Sequence, residues 1–443
     1  MIDTIYALAT PFGRSALAVI RVSGKDALLI HDKIFKPKYG TQKYFVATRG
    51  DILDIDHVVS IKFPEGKSFT GEPSFELMLH GSPIVIECVL DALHKKGARL
   101  ANPGEFTLRA FSSGKININE AEAISDLISA SSKEAARVAF RNLKGILSDY
   151  LAPVREKLID IISELEANLE FPDENIDRKN YIKIQEIIND SIEKIEKLLQ
   201  NVNIGKLLTK GARIVLVGYP NAGKSTLFNK LIGLDKALVH ETAGTTRDVL
   251  EETCVIKGIS VTFVDVAGFR NDNETNDPVE MLGIKKAKKE LYLADLIISL
   301  SEPNADFVSI PIDISVPILY VKTKLDLRSK IVSNHNNNSI SVSANTGIGL
   351  DSLRREIVKS LIGNSVLESE EPLLTKARQI EETNKIYKFL LNVKLLLNNE
   401  KKVDDEIIVF ELRKAGYALD KLLGKDIDKD VLDLIFSKFC IGK

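Results

Sequence analysis

Residues 212–231 read ARIVLVGYPNAGKSTLFNKL, and their reading decides the fold. An apolar, largely β-branched run ends at Gly218, and Gly218–Ser225 then fits G-x-x-x-x-G-K-S before a helix-forming segment. A strand that turns through glycines into a helix points successive backbone N–H groups and the helix N-terminus at one place, which suits a chain of phosphates. Asn221, Ala222, Gly223, Lys224, Ser225 and Thr226 line that turn, with Lys224 reaching the terminal phosphates and Ser225 placed to ligate Mg²⁺. A Gly-rich turn with a chance Lys-Ser is the bland alternative, and the strand-before, helix-after context argues against it.

Three further segments follow in the order such a loop requires. Asp265-Val266-Ala267-Gly268 closes the next strand, where Asp265 would hold the Mg²⁺ shell and Gly268 would meet the γ-phosphate. The polar loop before it contains His240, Glu241, Thr242, Ala243, Gly244, Thr245 and Thr246, and Thr246 is the second hydroxyl expected on Mg²⁺. Thr323-Lys324-Leu325-Asp326 follows a β-rich run, and its Asp326 can accept from guanine N1–H and N2–H₂, which adenine does not offer. Ser343-Ala344-Asn345 would give a backbone N–H to guanine O6. The nucleotide is thus read as GTP. The usual first residue of the base motif is Asn, and Thr323 keeps one hydrogen bond but no amide, so GTP affinity is expected to weaken while specificity stays.

The chain has 443 residues, roughly three domains, and is 44% hydrophobic and 28% charged, which excludes a disordered or fibrous protein. Sixty Lys and Arg against 62 Asp and Glu give a net charge of -2, which excludes a globally basic nucleic-acid binder but not a local patch. Cys88, Cys254 and Cys440 are too few and scattered for a disulfide framework, so a cytoplasmic location is expected. With no long apolar run and no secretory leader, no membrane association is expected. Residues 1–118 mix strands with helices: Ser15–Val22 reads as a buried strand, and Ser82, Pro83 and Gly97 bound a helix. From Asn119 to Leu169 apolar residues recur at three- and four-residue steps, a long helix with an interruption or kink expected at Pro153, followed by a second helix over about 182–201. Residues 211–364 alternate strands and helices as in a parallel α/β sheet, and 365–443 return to helix. The expected fold is multi-domain α/β, with an α/β domain (211–364) inserted into a discontinuous all-α domain (119–210 and 365–443).

Over nearly its whole length the chain resembles the MnmE (TrmE) family of tRNA-modification GTPases. The resemblance is carried by DTIYALATPFGRSALAVIRVSG (3–24), NPGEFTLRAF (102–111), SGKININEAEAISDLISASS (113–132), the phosphate loop, AGTTRD (243–248) and the terminal CIGK (440–443). It implies an N-terminal α+β domain that binds folate and dimerises, a helical domain and a Ras-like G domain. It also implies an FAD-dependent MnmG/GidA-type partner, forming a heterotetramer with the homodimer. Together they would place a carboxymethylaminomethyl or aminomethyl group on C5 of the wobble uridine of certain tRNAs, drawing on a tetrahydrofolate derivative (5-formyl or 5,10-methylene).

In such proteins K⁺ takes the place of an arginine finger. Carried over residue by residue, its ligands would be Asn221 and the carbonyls of His240, Thr242 and Thr245; a turn role for Asn221 stays open. Hydrolysis would then depend on G-domain dimerisation. The residue that orients water would be Glu280, in Glu280-Met281-Leu282-Gly283-Ile284, with Glu274 as a rival because the spacing from Asp265 is longer than usual. Arg21, Glu76, Lys115 and Lys443 would contact folate, the first three being otherwise solvated or ion-paired charges. Cys440 is a catalytic candidate as nucleophile or acid, or else structural. A regulatory GTPase switch without chemistry of its own is the rival function, and it leaves the NPGEF block and the CIGK tail without a use. A ribosome-assembly GTPase would be expected to carry an appended basic RNA-binding domain, and no basic stripe stands out in the sequence.

Overall fold

The structure, a computed structural model, describes residues 3–170, 178–234, 250–265, 278–311, 314–327, 339–363, 371–398 and 405–425, together with 432, 435–437, 439 and 442; for 178–180, 234, 250 and 278–284 it describes the backbone alone. The chain divides into two compact units, residues 1–125 with 420–443, and residues 126–419. The sequence reading kept 365–443 in one piece, whereas the last 24 residues group with the N-terminal unit.

The N-terminal unit is built on β1 (Ile5–Leu8), β2 (Ser15–Ser23), β3 (Phe35–Pro37), β4 (Thr48–Ile52), β5 (Asp56–Phe63), β6 (Ser74–Gly81) and β7 (Arg99–Leu100), in the order β3-β4-β5-β6-β2-β1-β7. All pairs are antiparallel except β1 with β7. Ala18, Ile20 and Val22 alternate into the core with Phe75, Leu77 and Leu79 of β6, which leaves Arg21 on the other face. Helices α1 (Ala27–Ile34) and α2 (Pro83–Lys95) pack on this sheet. Pro83 opens α2 and Gly97 (φ +94°) follows its end, as expected, but the Ser82 side chain makes no capping bond.

Helix α3 (Glu105–Ser112) starts after Gly104, whose φ is +71° and where a Cβ would lie 2.4 Å from the Phe436 carbonyl oxygen. Only glycine fits. Phe436 and Phe439 cluster with Phe111, Ile118 and Ala121, so the chain's end is anchored on α3 and the start of α4 (Ile118–Ser129).

The long helix expected over 119–169 is three helices: α4, α5 (Lys133–Leu143) and α6 (Ile146–Glu170). Ser132 is extended and its hydroxyl accepts from the Ala135 N–H, which starts α5 afresh. Gly145, at φ +82°, separates α5 from α6. Pro153 is carried inside α6. Helices α7 (Arg178–Gln200) and α8 (Val202–Lys210) then lead into the α/β block.

That block has β8 (Ala212–Gly218), α9 (Lys224–Leu234), β9 (Leu250–Ile256), β10 (Ile259–Asp265), α10 (Pro278–Leu293), β11 (Leu296–Ser301), β12 (Ile318–Lys322), β13 (Ser339–Ser341) and α11 (Leu350–Ile362). The strand order is β13-β12-β11-β8-β10-β9. The sheet is parallel as expected except for β9, an antiparallel edge strand paired with β10 across a hairpin turn at Lys257-Gly258. Its central strands are apolar on both faces, Val215 and Val217 facing one layer, Ile214 and Leu216 the other.

After the block, α12 (Ala377–Leu397) and α13 (Asp405–Leu423) return to the helices before it. Helix α12 packs along α7. Tyr387 donates to Glu196 at 2.5 Å, Tyr181 to Asp405 at 2.7 Å and Arg413 to Glu166 at 2.7 Å. The protein is therefore multi-domain α/β with a helical domain interrupted by an α/β insertion. Among the described residues no helix is long and apolar enough to cross a membrane.

One buried group gives the N-terminal unit a pH dependence. His31 lies within the core against Phe35 and Phe75, with its Nε2 2.9 Å from Ser60 Oγ and its Nδ1 3.0 Å from Asp32. Burial pushes its pKa down, although Asp32 acts in the opposite sense. The unfolded chain therefore takes up the proton first, so this contribution is complete above about pH 6.5 and is lost as pH falls below it. Protection of the β5 amides, taken as measured exchange against the intrinsic rate and read by mass spectrometry, should fall from pH 7 to pH 5, and His31→Gln should flatten that change.

Candidate functional site

The sheet order reverses at β8, which has β10 on one side and β11 on the other; in such sheets ligands bind beyond the carboxyl ends of the strands at that point. The loop after β8, the end of β10 and the segments after β12 and β13 all lie there. Gly218 lets the loop leave the sheet because a Cβ would meet the Leu300 carbonyl at 2.5 Å. Asn221 takes φ +64°, a left-handed position that Asn tolerates better than most residues, so it performs its turn role whatever else it does. Gly223, at φ +84°, opens α9. Lys224 turns back over the loop, donating from Nζ to the carbonyls of Gly218 at 2.8 Å and Tyr219 at 3.3 Å. Ser225 and Thr226, in the first turn of α9, are exposed.

Asp265, the last residue of β10, lies beside β8 and is 9% exposed. Ser225 Oγ is 3.4 Å from its Oδ2, while its Oδ1 is buried with no hydrogen-bond partner among the described residues. Burial raises the carboxyl pKa against the pull of the Lys224 charge and the Ser225 bond. A hydroxyl beside an unsatisfied carboxylate oxygen is an all-oxygen donor set that fits a hard cation such as Mg²⁺.

The segment after β12, expected to read the base, is tied directly to the phosphate loop. Thr323, buried, donates from Oγ1 to the Ala222 carbonyl at 2.8 Å, with the Ser301 carbonyl a second acceptor at 3.3 Å. Lys324, at φ +54°, pairs with Glu302 at 2.5 Å. Asp326 is exposed in the middle of a 3₁₀ turn (Leu325–Leu327), and buried Ser343 donates to its Oδ1 at 2.6 Å. That bond, its own backbone amide and Asn345 hold the Asp326 carboxyl below the usual range, so it stays an acceptor. Ala344 lies between Ser343 and exposed Asn345. The one hydrogen bond expected of Thr323 is thus made to the phosphate loop, whereas Glu302 was missed, because it belongs to no motif and only the fold brings it to Lys324.

In the N-terminal unit, Arg21 and Glu76 stand opposite each other on β2 and β6 and form an ion pair at 2.8 Å. The Arg21 guanidinium also lies 5.6 Å from the Phe69 ring centroid and 5.8 Å from that of Phe106. Lys115 donates to the Gly66 carbonyl at 2.6 Å. The 66–72 segment thus links all three residues, with Phe69 meeting Arg21 and Gly66 meeting Lys115. A Cβ on Gly442 would come 2.7 Å from the Leu8 carbonyl, so the tail approaches the strand beside β2.

The NPGEF block has a structural task that the sequence did not disclose. Glu105 accepts from Arg99 at 2.6 and 2.8 Å, from Arg109 at 2.9 Å and from the Asn102 N–H at 2.9 Å. Arg109 continues to Asp3 at 2.8 Å and Glu72 at 3.2 Å. Burial alone would raise the Glu105 pKa, and these donors bring it below the ordinary value.

Several expected site residues lie outside the described residues: His240, Glu241, Thr242, Ala243, Gly244, Thr245, Thr246, Val266, Ala267, Gly268, Glu274, Cys440 and Lys443. Glu280 has its backbone in α10, and its side chain is likewise outside them.

A phosphate loop after the first strand of an α/β sheet, an acid ending the adjacent strand and base-reading segments after the last two strands define a P-loop protein of the GTPase class. The family described as MnmE helical domain matches residues 118–440, and that described as GTP-binding protein TrmE N-terminus matches residues 4–115. Relatives named tRNA modification GTPase MnmE include one from Aquifex aeolicus, 37% identical, and ones from Legionella pneumophila and Thermotoga petrophila, each 36% identical. In all three pairs the match covers 100% of both chains. The chain belongs to the MnmE (TrmE) family.

The Thr323 bond can be measured. Thr323→Val should weaken GTP and GDP alike by about tenfold, the loss of roughly 1 kcal/mol or a little more, while Thr323→Ser should stay near the parent. Asp326→Asn should transfer preference from GTP to xanthosine triphosphate. Fluorescent-nucleotide titration reads both, and an Asp326→Asn protein that still prefers GTP would contradict the base assignment.

Proposed function

We propose that this chain is a K⁺-stimulated GTPase that modifies C5 of the wobble uridine of tRNA together with an FAD-dependent MnmG/GidA-type partner. The observation that carries the nucleotide half is the Thr323–Ala222 bond beside the Ser343–Asp326 bond, which sets a guanine acceptor at a fixed distance from the phosphate loop. The tRNA half is supported by relatives named tRNA modification GTPase that match the chain from end to end.

Ser225 and Thr226, with the loop amides, hold the phosphates, and Ser225 and Thr246 ligate Mg²⁺, backed by Asp265. Asn221 and the carbonyls of His240, Thr242 and Thr245 hold K⁺, and Glu280 orients the attacking water. Val266, Ala267 and Gly268 approach the γ-phosphate. Two G domains face one another when hydrolysis occurs, and the chain is a homodimer. A flat heteroaromatic bearing carboxylates, such as a tetrahydrofolate, suits a charged pair flanked by aromatic rings, which is what Arg21, Glu76, Phe69 and Phe106 form. Lys115, Lys443 and Cys440 complete that site. The division into 1–118, 119–210 with 365–419, and 211–364 accompanies this reading, with 420–443 grouped with the first, as does a cytoplasmic location.

GTP turnover should rise at least tenfold when K⁺ replaces Na⁺, and Glu280→Ala should remove that stimulation; equal slow rates in both salts would contradict the K⁺ mechanism. Cys440→Ser should spare GTP turnover and abolish tRNA modification by the complete complex. A variant that modifies tRNA normally would end the role of Cys440.

A further inference from the structure

Helix α5 presents Lys133, Arg137 and Phe140 on its outer face, and Lys144, its C-cap, extends the row. At 100° and 1.5 Å per residue the four positions fall within an arc of about 60° over about 16 Å. All four are exposed, whereas Ala135, Val138, Ala139 and Asn142 on the opposite face are buried. Phe140 is 49% exposed, and the Lys144 ammonium sits 4.7 Å from its centroid.

The charge on this face is mostly of one sign. Glu134 is the one carboxylate in the helix; it is largely buried and lies 3.5 Å from Arg137. Its backbone N–H donates to the Gly258 carbonyl at 3.3 Å, which brings the Lys257-Gly258 turn to the first turn of α5 and adds exposed Lys257. Arg141 flanks the row and donates to the Glu371 carbonyl at 3.3 Å.

We propose that this stripe is a docking surface for the phosphodiester backbone of RNA, with the Phe140 ring open to an unpaired base. The inference rests on the tRNA reading above and adds where the RNA lies. Cations in a row with an exposed ring between them are the surface that tracks a nucleic-acid backbone and stacks its bases, whereas a merely solvated charged face has no use for the ring. The overall charge of -2 does not oppose this, because the row is a local departure from it.

The test uses the full chain and unmodified tRNA, with binding measured by fluorescence anisotropy across a salt series. The triple variant Lys133→Gln, Arg137→Gln, Lys144→Gln should lose at least tenfold in affinity, and its log–log salt slope should shrink by about two to three. Phe140→Ala should weaken binding several-fold and leave the slope unchanged. GTP hydrolysis without tRNA should be unaltered in both, which shows that they fold. Lys36→Gln, Lys95→Gln, Lys96→Gln removes equal charge elsewhere and should change neither affinity nor slope. A stripe variant that binds like the parent, or a control that loses as much, overturns the docking surface alone. A parent chain that binds no tRNA overturns the tRNA-binding premise and the docking surface with it, while the GTPase assignment stands on its own titrations.

Discussion

The hydrogen bond from the Thr323 hydroxyl to the Ala222 carbonyl is the constraint on which the nucleotide site depends. It joins residues 101 apart in sequence and ties the phosphate loop to the segment after β12. Its net worth is modest, about 1 kcal/mol, but its buried setting makes it hard to replace by water. A Cβ on Gly223 would make only ordinary contact with the Thr323 hydroxyl at 3.5 Å, so that glycine serves the left-handed turn, at φ +84°, rather than the tie itself. Thr in place of Asn is therefore a shorter route to the same tie, made through a hydroxyl and a carbonyl.

The same economy of contacts explains how an α/β block can interrupt a helical domain. The chain enters the block through α8 and Gly211 and leaves it through α11 and Gly363, each glycine at positive φ. Helices α8 and α11 touch, so entry and exit lie close together, the condition for inserting one folded block into another. The helices on either side are joined by apolar packing along α7 and α12, with Ile188, Ile192 and Ile195 of α7 and Ile386, Leu390 and Val393 of α12 all buried. The polar bonds of Tyr181, Tyr387 and Arg413 fix their register more than their stability.

Much of this was legible in the chain. The phosphate loop was, because its glycines, Lys224 and Ser225 are local necessities, and so were β2, α2 and the insertion. The breaks at Ser132 and Gly145 were overridden by an apolar periodicity that runs on through both, even though a capping Ser and a left-handed Gly mark them. The antiparallel turn of β9 was missed because edge strands depend on tertiary pairing. The NPGEF block looked like a functional signature, and its Glu105 is the centre of an ion-pair network joining Asp3, Glu72, Arg99 and Arg109, partners that no local pattern names. The partnership of Arg21 with Glu76 depended likewise on strand register.

The most direct measurement of the central claim is a calorimetric titration of the full chain with Mg·GTP and, separately, Mg·ATP. A base segment held to the phosphate loop, with Asp326 kept as an acceptor by Ser343, predicts that GTP is preferred by roughly a thousandfold or more. Comparable affinities for the two nucleotides would contradict it.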